Sequence, residues 1–245
     1  MAEVCVFQDP EELGRAVAER VVSVIRSKPR AVVGLATGSS PLHAYRAWGE
    51  IARAEGLDQS GVRGFALDEY VGIDPADPRS YHAVIRDEAV ALSGLDPERV
   101  EVPFAATLAD ADGAGMAYEG AIRAAGGVDV QFLGIGRNGH LAFNEPGSPA
   151  DSRSRGIELT AETREDNARF FGGIGEVPEF AITQGLGTIL EARELLVIAV
   201  GAAKAEAVAA ALEGPVSEDV PASLLRRRGG VTWFLDTEAA SQLSA

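Results

Sequence analysis

The sequence predicts an α/β fold with a mostly parallel central sheet and helices on both faces. The first observation is that short apolar runs, which fit buried strands, alternate along the chain with longer stretches of helical periodicity. The second is that 245 residues suffice for one large domain, and neither a repeat nor a low-complexity linker divides them. We therefore expect a single α/β domain over residues 1–245.

The first predicted helix begins after Asp9, whose carboxylate is a good cap, and Pro10 suits the first helical position. The first strand candidate is the apolar run AVVGLA at 31–36. The other strand candidates are 64–67, 128–133, 195–200 and 231–235, and the helical stretches between them lie near 42–55, 80–92, 111–125, 202–212 and 219–227. This alternation is typical of a Rossmann-like sheet, in which ligands bind beyond the carboxyl ends of the strands.

Residues 148–182 depart from the alternation. This segment is polar, rich in arginine and interrupted by glycines. Because a long irregular insertion in a compact domain often covers a site, we expect it to form a lid. We call residues 148–182 the lid segment.

Composition excludes several classes of protein. Hydrophobic residues make up 46% and charged residues 24% of the chain, which indicates a globular protein. The net charge of −15 argues against a nucleic-acid partner, which requires basic patches. No apolar run reaches the ~20 residues that span a bilayer, and no signal peptide is visible. Cys5 is the only cysteine, so we expect a cytoplasmic protein with no membrane partner.

The first of four candidate sites at strand ends is Thr37-Gly38-Ser39-Ser40, directly after the first strand candidate. Glycine lets the backbone approach a ligand closely, and hydroxyls with free amides at a helix start bind an anion such as phosphate. The same residues also fit a tight turn, in which a serine caps the next helix and the following proline takes its first position. The residues alone leave both interpretations open.

The second site is the pair Asp68-Glu69 at the end of the candidate strand 64–67. Because burial of a lone carboxylate is costly, two adjacent acids at the end of an apolar strand are not both ordinary core residues. One of them could act as a general base. Without the other motifs, however, a helix-start or surface acid is the preferred interpretation.

The third site is the glycine-rich stretch GIGRNGHLAFNEP, which follows the candidate strand 128–133 and carries His140 and Glu145. The chain has only three histidines. A histidine is more often structural than catalytic, but its place in a glycine-rich loop at a strand end favours chemistry. Imidazole transfers protons near neutral pH, and a carboxylate can orient it.

Two cations form the fourth site. Lys204 lies in the first turn of a predicted helix, the unfavourable end of the helix dipole for a cation by ~0.3–1 kcal/mol. An anion near this helix start would relieve the repulsion and gain a charge-assisted hydrogen bond. An exposed lysine that tolerates the position is the alternative. Arg169, in the lid segment, is the second candidate cation.

Six stretches together resemble the glucosamine-6-phosphate deaminase family. The match runs from about residue 31 to 235, and its most specific stretches are LATGSSP (35–41), LDEYVGI (67–73), SYH (80–82), GIGRNGHLAFNEPGS (134–148), ARFF (168–171) and ITQGLGTIL (182–190). A lone glycine-rich loop would not support this resemblance. The order and spacing of all six do.

The resemblance implies a ring opening followed by isomerisation and loss of ammonia, without a metal or an organic cofactor. By this resemblance, His140 opens the ring, Asp68 moves a proton between C2 and C1, and Glu145 supports His140. The residues that it assigns to the substrate phosphate are Thr37, Gly38, Ser39, Ser40, Arg169 and Lys204. We therefore expect an enzyme of amino-sugar metabolism that is classed as a hydrolase and a deaminase.

Asn138 departs from the pattern of some members, which have Asp at this position. The resemblance suggests that Asn also occurs there in active members. An amide can still orient His140 by a hydrogen bond, but it supplies no negative charge. We therefore place Asn138 among the predicted catalytic residues.

Regulation is a second point of departure. Hexameric members bind an acetylated amino-sugar phosphate at a separate allosteric site. Ser148 and Arg155 match two residues of that site, but the apolar Ile157 occupies the position of a basic ligand, and the chain ends soon after Leu235, without most of a longer tail. We expect a nonallosteric enzyme, a monomer or small homo-oligomer, whose partner is a small-molecule amino sugar phosphate.

Two other functions remain as alternatives. A 6-phosphogluconolactonase is a hydrolase of the same general fold with a similar histidine motif, but Phe143-Asn144-Glu145-Pro146 resembles the deaminase instead. A noncatalytic sugar-phosphate sensor usually carries a DNA-binding segment, for which the sequence before the first strand candidate leaves room for one helix only. The residues do not decide between glucosamine and galactosamine phosphates.

Overall fold

A seven-stranded sheet runs through the centre of the computed structural model, which describes residues 3–244; the first two residues and the last residue of the predicted 1–245 domain lie outside the described residues. The strands of both sheets in the described residues are β1 (Glu3–Phe7), β2 (Val32–Leu35), β3 (Arg63–Ala66), β4 (Asp68–Tyr70), β5 (Val100–Glu101), β6 (Val130–Gly134), β7 (Arg155–Glu158), β8 (Phe180–Thr183), β9 (Glu194–Ala199) and β10 (Val231–Asp236). The central sheet has the order β1-β10-β9-β6-β2-β3-β5, and all its neighbouring strands are parallel.

Helices lie on both faces of this sheet, which confirms the predicted fold class. The α-helices that the structure describes are α1 (Pro10–Ser27), α2 (Leu42–Glu55), α3 (Tyr81–Val84), α4 (Ala91–Ser93), α5 (Leu108–Ala124), α6 (Ala161–Asn167), α7 (Leu186–Leu190) and α8 (Ala205–Glu213). A π-helix (Ile85–Val90) joins α3 to α4. α1 begins as predicted, because the side chain of Asp9 accepts a hydrogen bond from the N–H of Glu11 at 2.8 Å.

Two strands of the central sheet, β1 and β5, were not predicted, and one predicted helix is of a different type. The expectation that the first strand begins near residue 31 was wrong, because β1 precedes α1. β1 is a short edge strand, and its apolar run at residues 4–7 is only partly buried, with Val4 and Val6 41% and 50% exposed. The two-residue β5 is too short to leave a pattern. The predicted helix at 219–227 is a 3-10 helix (Pro221–Arg227).

The lid segment is more regular than predicted. The segment contains β7 and most of β8. These two strands pair antiparallel, and β8 also pairs with β4, in a second sheet of order β4-β8-β7. Between β7 and β8 the chain forms α6 and two 3-10 helices (Ala168–Phe170 and Ile174–Glu176). The expectation of a long irregular insertion was therefore wrong. Backbone N–H and C=O groups of this segment are hydrogen-bonded within the small sheet.

The chain reverses its direction of travel across the central sheet between β2 and β6. From β2 the chain moves outward to β3 and β5, and then returns to place β6 on the other side of β2. In open parallel sheets, the loops at such a point part and leave a crevice beyond the carboxyl ends of the strands. In this topology, the expected position of a ligand crevice is between the loops that follow β2 and β6.

Aromatic side chains hold α2 against the sheet beneath this crevice. Tyr45 and Trp48 of α2 pack on Phe132 of β6, with ring centroids 4.9 and 6.4 Å apart. The hydroxyl of Tyr45 donates to the carbonyl oxygen of Ala36 at 2.8 Å. The backbone at the carboxyl end of β2 is thereby fixed where the loop at the crevice begins.

Candidate active site

Four neighbouring strands carry the four candidate sites at one edge of the sheet. Strands β3, β2, β6 and β9 lie side by side. Asp68 follows β3, Thr37 follows β2, His140 lies in the loop after β6, and Lys204 lies in the turn after β9. Because neighbouring parallel strands end at the same edge about 4.8 Å apart, these positions, which are distant along the chain, lie at the same edge of the sheet.

The loop after β2 leaves polar groups free for a ligand. Gly38 has a φ of 95°, which favours glycine, and both Gly38 and Ser39 are exposed. α2 begins at Leu42, one residue later than the serine-cap interpretation predicts, and no side chain caps it. The first amides of α2, together with the hydroxyls of Thr37, Ser39 and Ser40, are thus suited to bind an anion.

Glu69 has a structural task. It is fully buried, and its carboxylate accepts hydrogen bonds from the backbone N–H groups of Tyr70 (2.8 Å), Tyr81 (3.0 Å) and His82 (2.9 Å). It also accepts one from Nδ1 of His82 at 2.8 Å. These bonds hold the start of α3 against β4, so of the two adjacent acids Glu69 is the one committed to the fold.

Asp68 is the acid without such partners. Its side chain is 6% exposed, and within residues 3–244 no hydrogen bond to its carboxylate is formed. Burial, together with the negative charge of Glu69, raises the pKa of Asp68 to about 8. A carboxyl group with this pKa can take up and release a proton near neutral pH.

Gly136 and Asn138 fix the imidazole of His140. A Cβ at Gly136 would lie 2.2 Å from Nδ1 of the ring, so the ring packs directly on the glycine backbone. Nδ1 donates a hydrogen bond to Oδ1 of Asn138 at 2.8 Å, and the backbone N–H of His140 donates to the same oxygen at 3.2 Å. The neutral ring therefore carries its proton on Nδ1, which leaves Nε2 as the proton acceptor.

Glu145 supports His140 through Asn138. Its Oε2 accepts a hydrogen bond from Nδ2 of Asn138 at 2.8 Å but lies 3.7 Å from Nδ1 of His140. Its Oε1 accepts a hydrogen bond from the hydroxyl of Thr163. Burial alone would raise the pKa of Glu145, but interactions with His140, Thr163 and Asn138 outweigh burial and lower the pKa to about 2.

The turn after the histidine is strained and braced. Ala142 has a φ of 52°, a left-handed conformation that is costly for a residue other than glycine. Asn144 holds this turn by donating to the carbonyl oxygens of Leu141 at 3.0 Å and Gln184 at 2.7 Å. The N–H of Gln184 donates in turn to Leu67 at 2.8 Å, one residue before the candidate base. The two catalytic candidates are thus tied to one brace at the end of β8.

Three cations gather near the turn after β9. Burial lowers the pKa of Lys204; Asp166 opposes this shift, and the positive charges of Arg137 and Arg169 add to it. Arg137 forms an ion pair with Asp166, and the guanidinium of Arg169 lies 4.6 Å from the ring centroid of Phe170. A cluster of positive charge in an acidic protein is a local trap for an anion.

β6 lies between this cluster and the loop after β2. β9 and β2 are therefore about 10 Å apart, twice the spacing of neighbouring strands. A phosphate group and the side chains that bind it can fill this distance. Arg137 was not predicted as a site residue, although it follows Gly136 directly in the glycine-rich stretch. An arginine inside such a loop was the signal that could have revealed it.

The residues that match an allosteric site make internal contacts. Nη1 of Arg155 donates to Oδ1 of Asn144 at 3.0 Å, and the N–H of Ser148 donates to the carbonyl oxygen of Glu145 at 3.0 Å. Ile157 packs on the small core beneath the lid segment. Arg155 and Ser148 thus brace the ends of the turn that carries Glu145.

The part of the chain that the structure describes contains no group of three or more His, Cys, Asp or Glu side chains placed to hold a metal ion. Among the helices of residues 3–244, none is both long and apolar enough to cross a membrane. Cys5 is a free thiol in β1.

Known deaminases are similar to this chain along nearly its whole length. A family model described as glucosamine-6-phosphate isomerases/6-phosphogluconolactonase matches residues 8–233. A glucosamine-6-phosphate deaminase of Bifidobacterium longum (strain DJO10A) is 50% identical over 99% of this chain and 93% of its own length. The deaminase of Rhodococcus opacus (strain B4) is 49% identical over 98% of this chain and 92% of its own. A solved monomeric glucosamine-6-phosphate deaminase is 40% identical with a TM-score of 0.93, covering 98% of this chain and 99% of that one.

More distant structures share the fold alone. The 6-phosphogluconolactonase of Trypanosoma brucei has a TM-score of 0.81 at 22% identity, over 100% of this chain and 99% of its own. The description of the predicted enzyme as a hydrolase was therefore wrong. The relatives at about half identity are named glucosamine-6-phosphate deaminases, whereas the 6-phosphogluconolactonase of Trypanosoma brucei is only 22% identical.

Proposed function

Because the chain belongs to the family of glucosamine-6-phosphate isomerases and 6-phosphogluconolactonases, we propose that it is an enzyme converting glucosamine 6-phosphate to fructose 6-phosphate and ammonia. The proposal is supported by a raised-pKa carboxyl group, an oriented imidazole and a cluster of cations that follow neighbouring strands at one edge of the sheet. Asp68, His140 and Lys204 are their central members.

The substrate phosphate binds between the loop after β2 and the cations after β9. The amides and hydroxyls of Thr37, Gly38, Ser39 and Ser40 provide neutral donors, and Lys204 provides charge, with Arg169 closing from the lid segment. Fixing the phosphate sets the distance from C2 of the sugar to Asp68. Phosphate binding therefore contributes orientation as well as affinity.

His140 catalyses the ring opening. Its Nε2 takes the proton of the anomeric hydroxyl and delivers a proton to the ring oxygen, which breaks the bond between C1 and that oxygen and leaves an open-chain aldehyde. Asn138 keeps Nδ1 as the donor, so Nε2 stays available to the sugar. Glu145 fixes Asn138 and places a negative charge near the imidazole when the ring is cationic.

Asp68 catalyses the isomerisation. Its carboxylate removes the C2 proton, which is acidic because C1 is a carbonyl carbon, and the product is an enolamine. Delivery of the proton to C1 gives a ketimine at C2, which water hydrolyses to the ketose phosphate and ammonia. The raised pKa of Asp68 suits both halves of this transfer, since the group must gain and then lose the same proton.

Ammonia release from glucosamine 6-phosphate tests the proposal, with galactosamine 6-phosphate and 6-phosphogluconolactone as parallel substrates. We expect ammonia from an amino sugar phosphate, no lactone hydrolysis above background, and loss of activity in Asp68→Asn. Asp58→Asn, a change on an exposed loop, is the matched control. Binding of the amino sugar without turnover would instead support a sensor, and turnover of the lactone alone would support a hydrolase.

We also propose that the enzyme acts as a single-domain monomer in the cytoplasm, where phosphorylated sugars are retained by their charge. The similar deaminase of known structure is named monomeric. Ile157, which cannot bind phosphate, supports hyperbolic kinetics. Sedimentation should give one species of the 25.6 kDa chain mass. A sigmoidal rate curve relieved by N-acetylglucosamine 6-phosphate would contradict the absence of regulation.

A further inference from the structure

The lid segment contacts the histidine loop through two side-chain pairs. The hydroxyl of Thr163, in α6, donates to Oε1 of Glu145, and Asp166, in the same helix, pairs with Arg137. Each pair joins a residue of the lid segment to a residue of the loop between β6 and β7. The catalytic loop and α6 are therefore linked at two points one helical turn apart.

Thr163 is held firmly enough to act on its partner. It is 5% exposed, and its backbone N–H donates to Oγ1 of Thr160, the cap of α6, at 3.2 Å. A threonine hydroxyl has one proton to donate, and here that proton goes to Glu145. The contact is buried and directional, unlike an exposed ion pair.

The two oxygens of Glu145 then have separate tasks. Oε1 is held by Thr163, and Oε2 accepts from Nδ2 of Asn138. That bond turns Oδ1 of Asn138 toward Nδ1 of His140. Without a donor at Oε1, the carboxylate is free to rotate, and the amide loses the contact that fixes which of its ends faces the imidazole.

We propose that Thr163 is a positioning residue that makes the proton-accepting state of His140 depend on the docking of α6. When α6 is in place, the hydroxyl of Thr163, the carboxylate of Glu145 and the amide of Asn138 form one chain that keeps the imidazole proton on Nδ1. When α6 moves away, the chain loses its outer member and Nε2 is no longer reserved for the substrate. The inference rests on the proposed function in its assignment of ring opening to His140.

The test compares Thr163→Val, which keeps the shape and removes the hydroxyl, with Thr163→Ser, which keeps the hydroxyl. In a long-range ¹H–¹⁵N spectrum near pH 8.5, His140 should be the Nδ1–H tautomer in the wild type and in Thr163→Ser. It should become a mixture of tautomers in Thr163→Val. The chain has three histidines, so His140→Gln assigns the signal. Glu162→Gln, an exposed neighbour in α6, is the matched control.

Kinetics give the second readout. Thr163→Val should lower kcat by roughly 10- to 50-fold, part of the ~10²–10⁴-fold that a positioned acid–base group contributes. KM should change less than about twofold, because the phosphate ligands lie elsewhere, and Thr163→Ser should recover most of kcat. If Thr163→Val fails to fold, Thr163→Cys provides a weaker donor of similar size and should fall between the two variants.

The outcomes separate this inference from the proposed function. An unchanged tautomer and an unchanged kcat in Thr163→Val overturn the inference while the deaminase activity stands. A fall in kcat that Thr163→Ser does not reverse also overturns it, because the hydroxyl would not be the cause. If Thr163→Val changes the tautomer of His140 but the wild-type protein releases no ammonia, the positioning role is supported and the proposed function is overturned.

Discussion

Asp68 and Glu69 are neighbours in β4, yet only the carboxylate of Glu69 receives hydrogen bonds, from three backbone N–H groups and the ring of His82. The carboxylate of Glu69 is therefore satisfied by hydrogen bonds of the fold, whereas Asp68 is 6% exposed and lies at the edge of the sheet where ligands are expected. The cost of that burial appears in the raised pKa of Asp68. Two predictions depend on this difference.

The first concerns the pH dependence of the rate. Asp68 acts as a base only when ionised, so kcat/KM should rise with pH and level off above about 8, the pKa of this group in the free enzyme. Asp68→Asn should lower kcat by ~10²–10⁴-fold and remove this limb. Initial rates between pH 6 and 9.5 with a direct ammonia assay measure both. A plateau that already begins at pH 6 would mean that a different base acts.

The second concerns stability. The pKa of Asp68 rises from about 3.9 in the unfolded chain to about 8 in the folded protein, so the folded state binds more protons in this window. Stability is therefore lost as the pH rises from about 4 to 8. Asp68→Asn should raise the free energy of unfolding at pH 8 by on the order of 2–4 kcal/mol, and by little at pH 4.

Urea unfolding at the two pH values checks this result. Asp58→Asn changes an exposed carboxylate and should give no such gain. An equal effect of Asp68→Asn at both pH values would show that packing, rather than ionisation, is responsible.

A third prediction compares two glycines of the same strand end. A Cβ at Gly136 would lie 2.2 Å from Nδ1 of His140, whereas a Cβ at Gly134 would meet nothing within 4 Å. Gly136→Ala should displace the imidazole and lower kcat on the order of 10²-fold, while Gly134→Ala should remain close to wild type. Both variants should keep the far-ultraviolet circular dichroism of the wild type. Equal activity of the pair would contradict the packing of the ring on Gly136.

A fourth prediction concerns the phosphate. Loss of a charged hydrogen bond costs about 1.5–3 kcal/mol, so Lys204→Gln should raise KM roughly 10- to 100-fold with a smaller change in kcat. Arg15→Gln removes a positive charge from an exposed position of α1 and should leave KM unchanged. Inorganic phosphate should inhibit the wild type more strongly than Lys204→Gln. A fall in kcat at constant KM would instead place Lys204 in the chemical step.

The central sheet could be predicted because its strands leave a simple signal. Buried parallel strands such as β2, β6 and β9 are short continuous apolar runs, and glycine-rich or polar residues mark their ends. Since ligand sites follow these ends, the candidate positions 37, 68, 140 and 204 could be chosen from the sequence. The order of the strands, which decides that the four sites meet, has no local signal.

The remaining features depend on tertiary contacts. β4, β7 and β8 have three or four residues each, and their pairing in a small antiparallel sheet is not encoded in a local period. The contact of Thr163 with Glu145 joins residues 18 positions apart and depends on how α6 docks. The sequence alone does not distinguish the roles of Glu69 and Asp68, because the position of α3 decides which carboxylate receives hydrogen bonds from the backbone.

The pairing of β1 with β10 has a consequence for how the protein forms. β1 is an edge strand whose neighbour in the sheet is β10, so Glu3 is aligned with Thr232, 229 positions away. During synthesis, β1 therefore emerges well before β10 and stays unpaired on that side until β10 has been made. Contacts of this separation slow folding and keep a strand edge exposed to other chains.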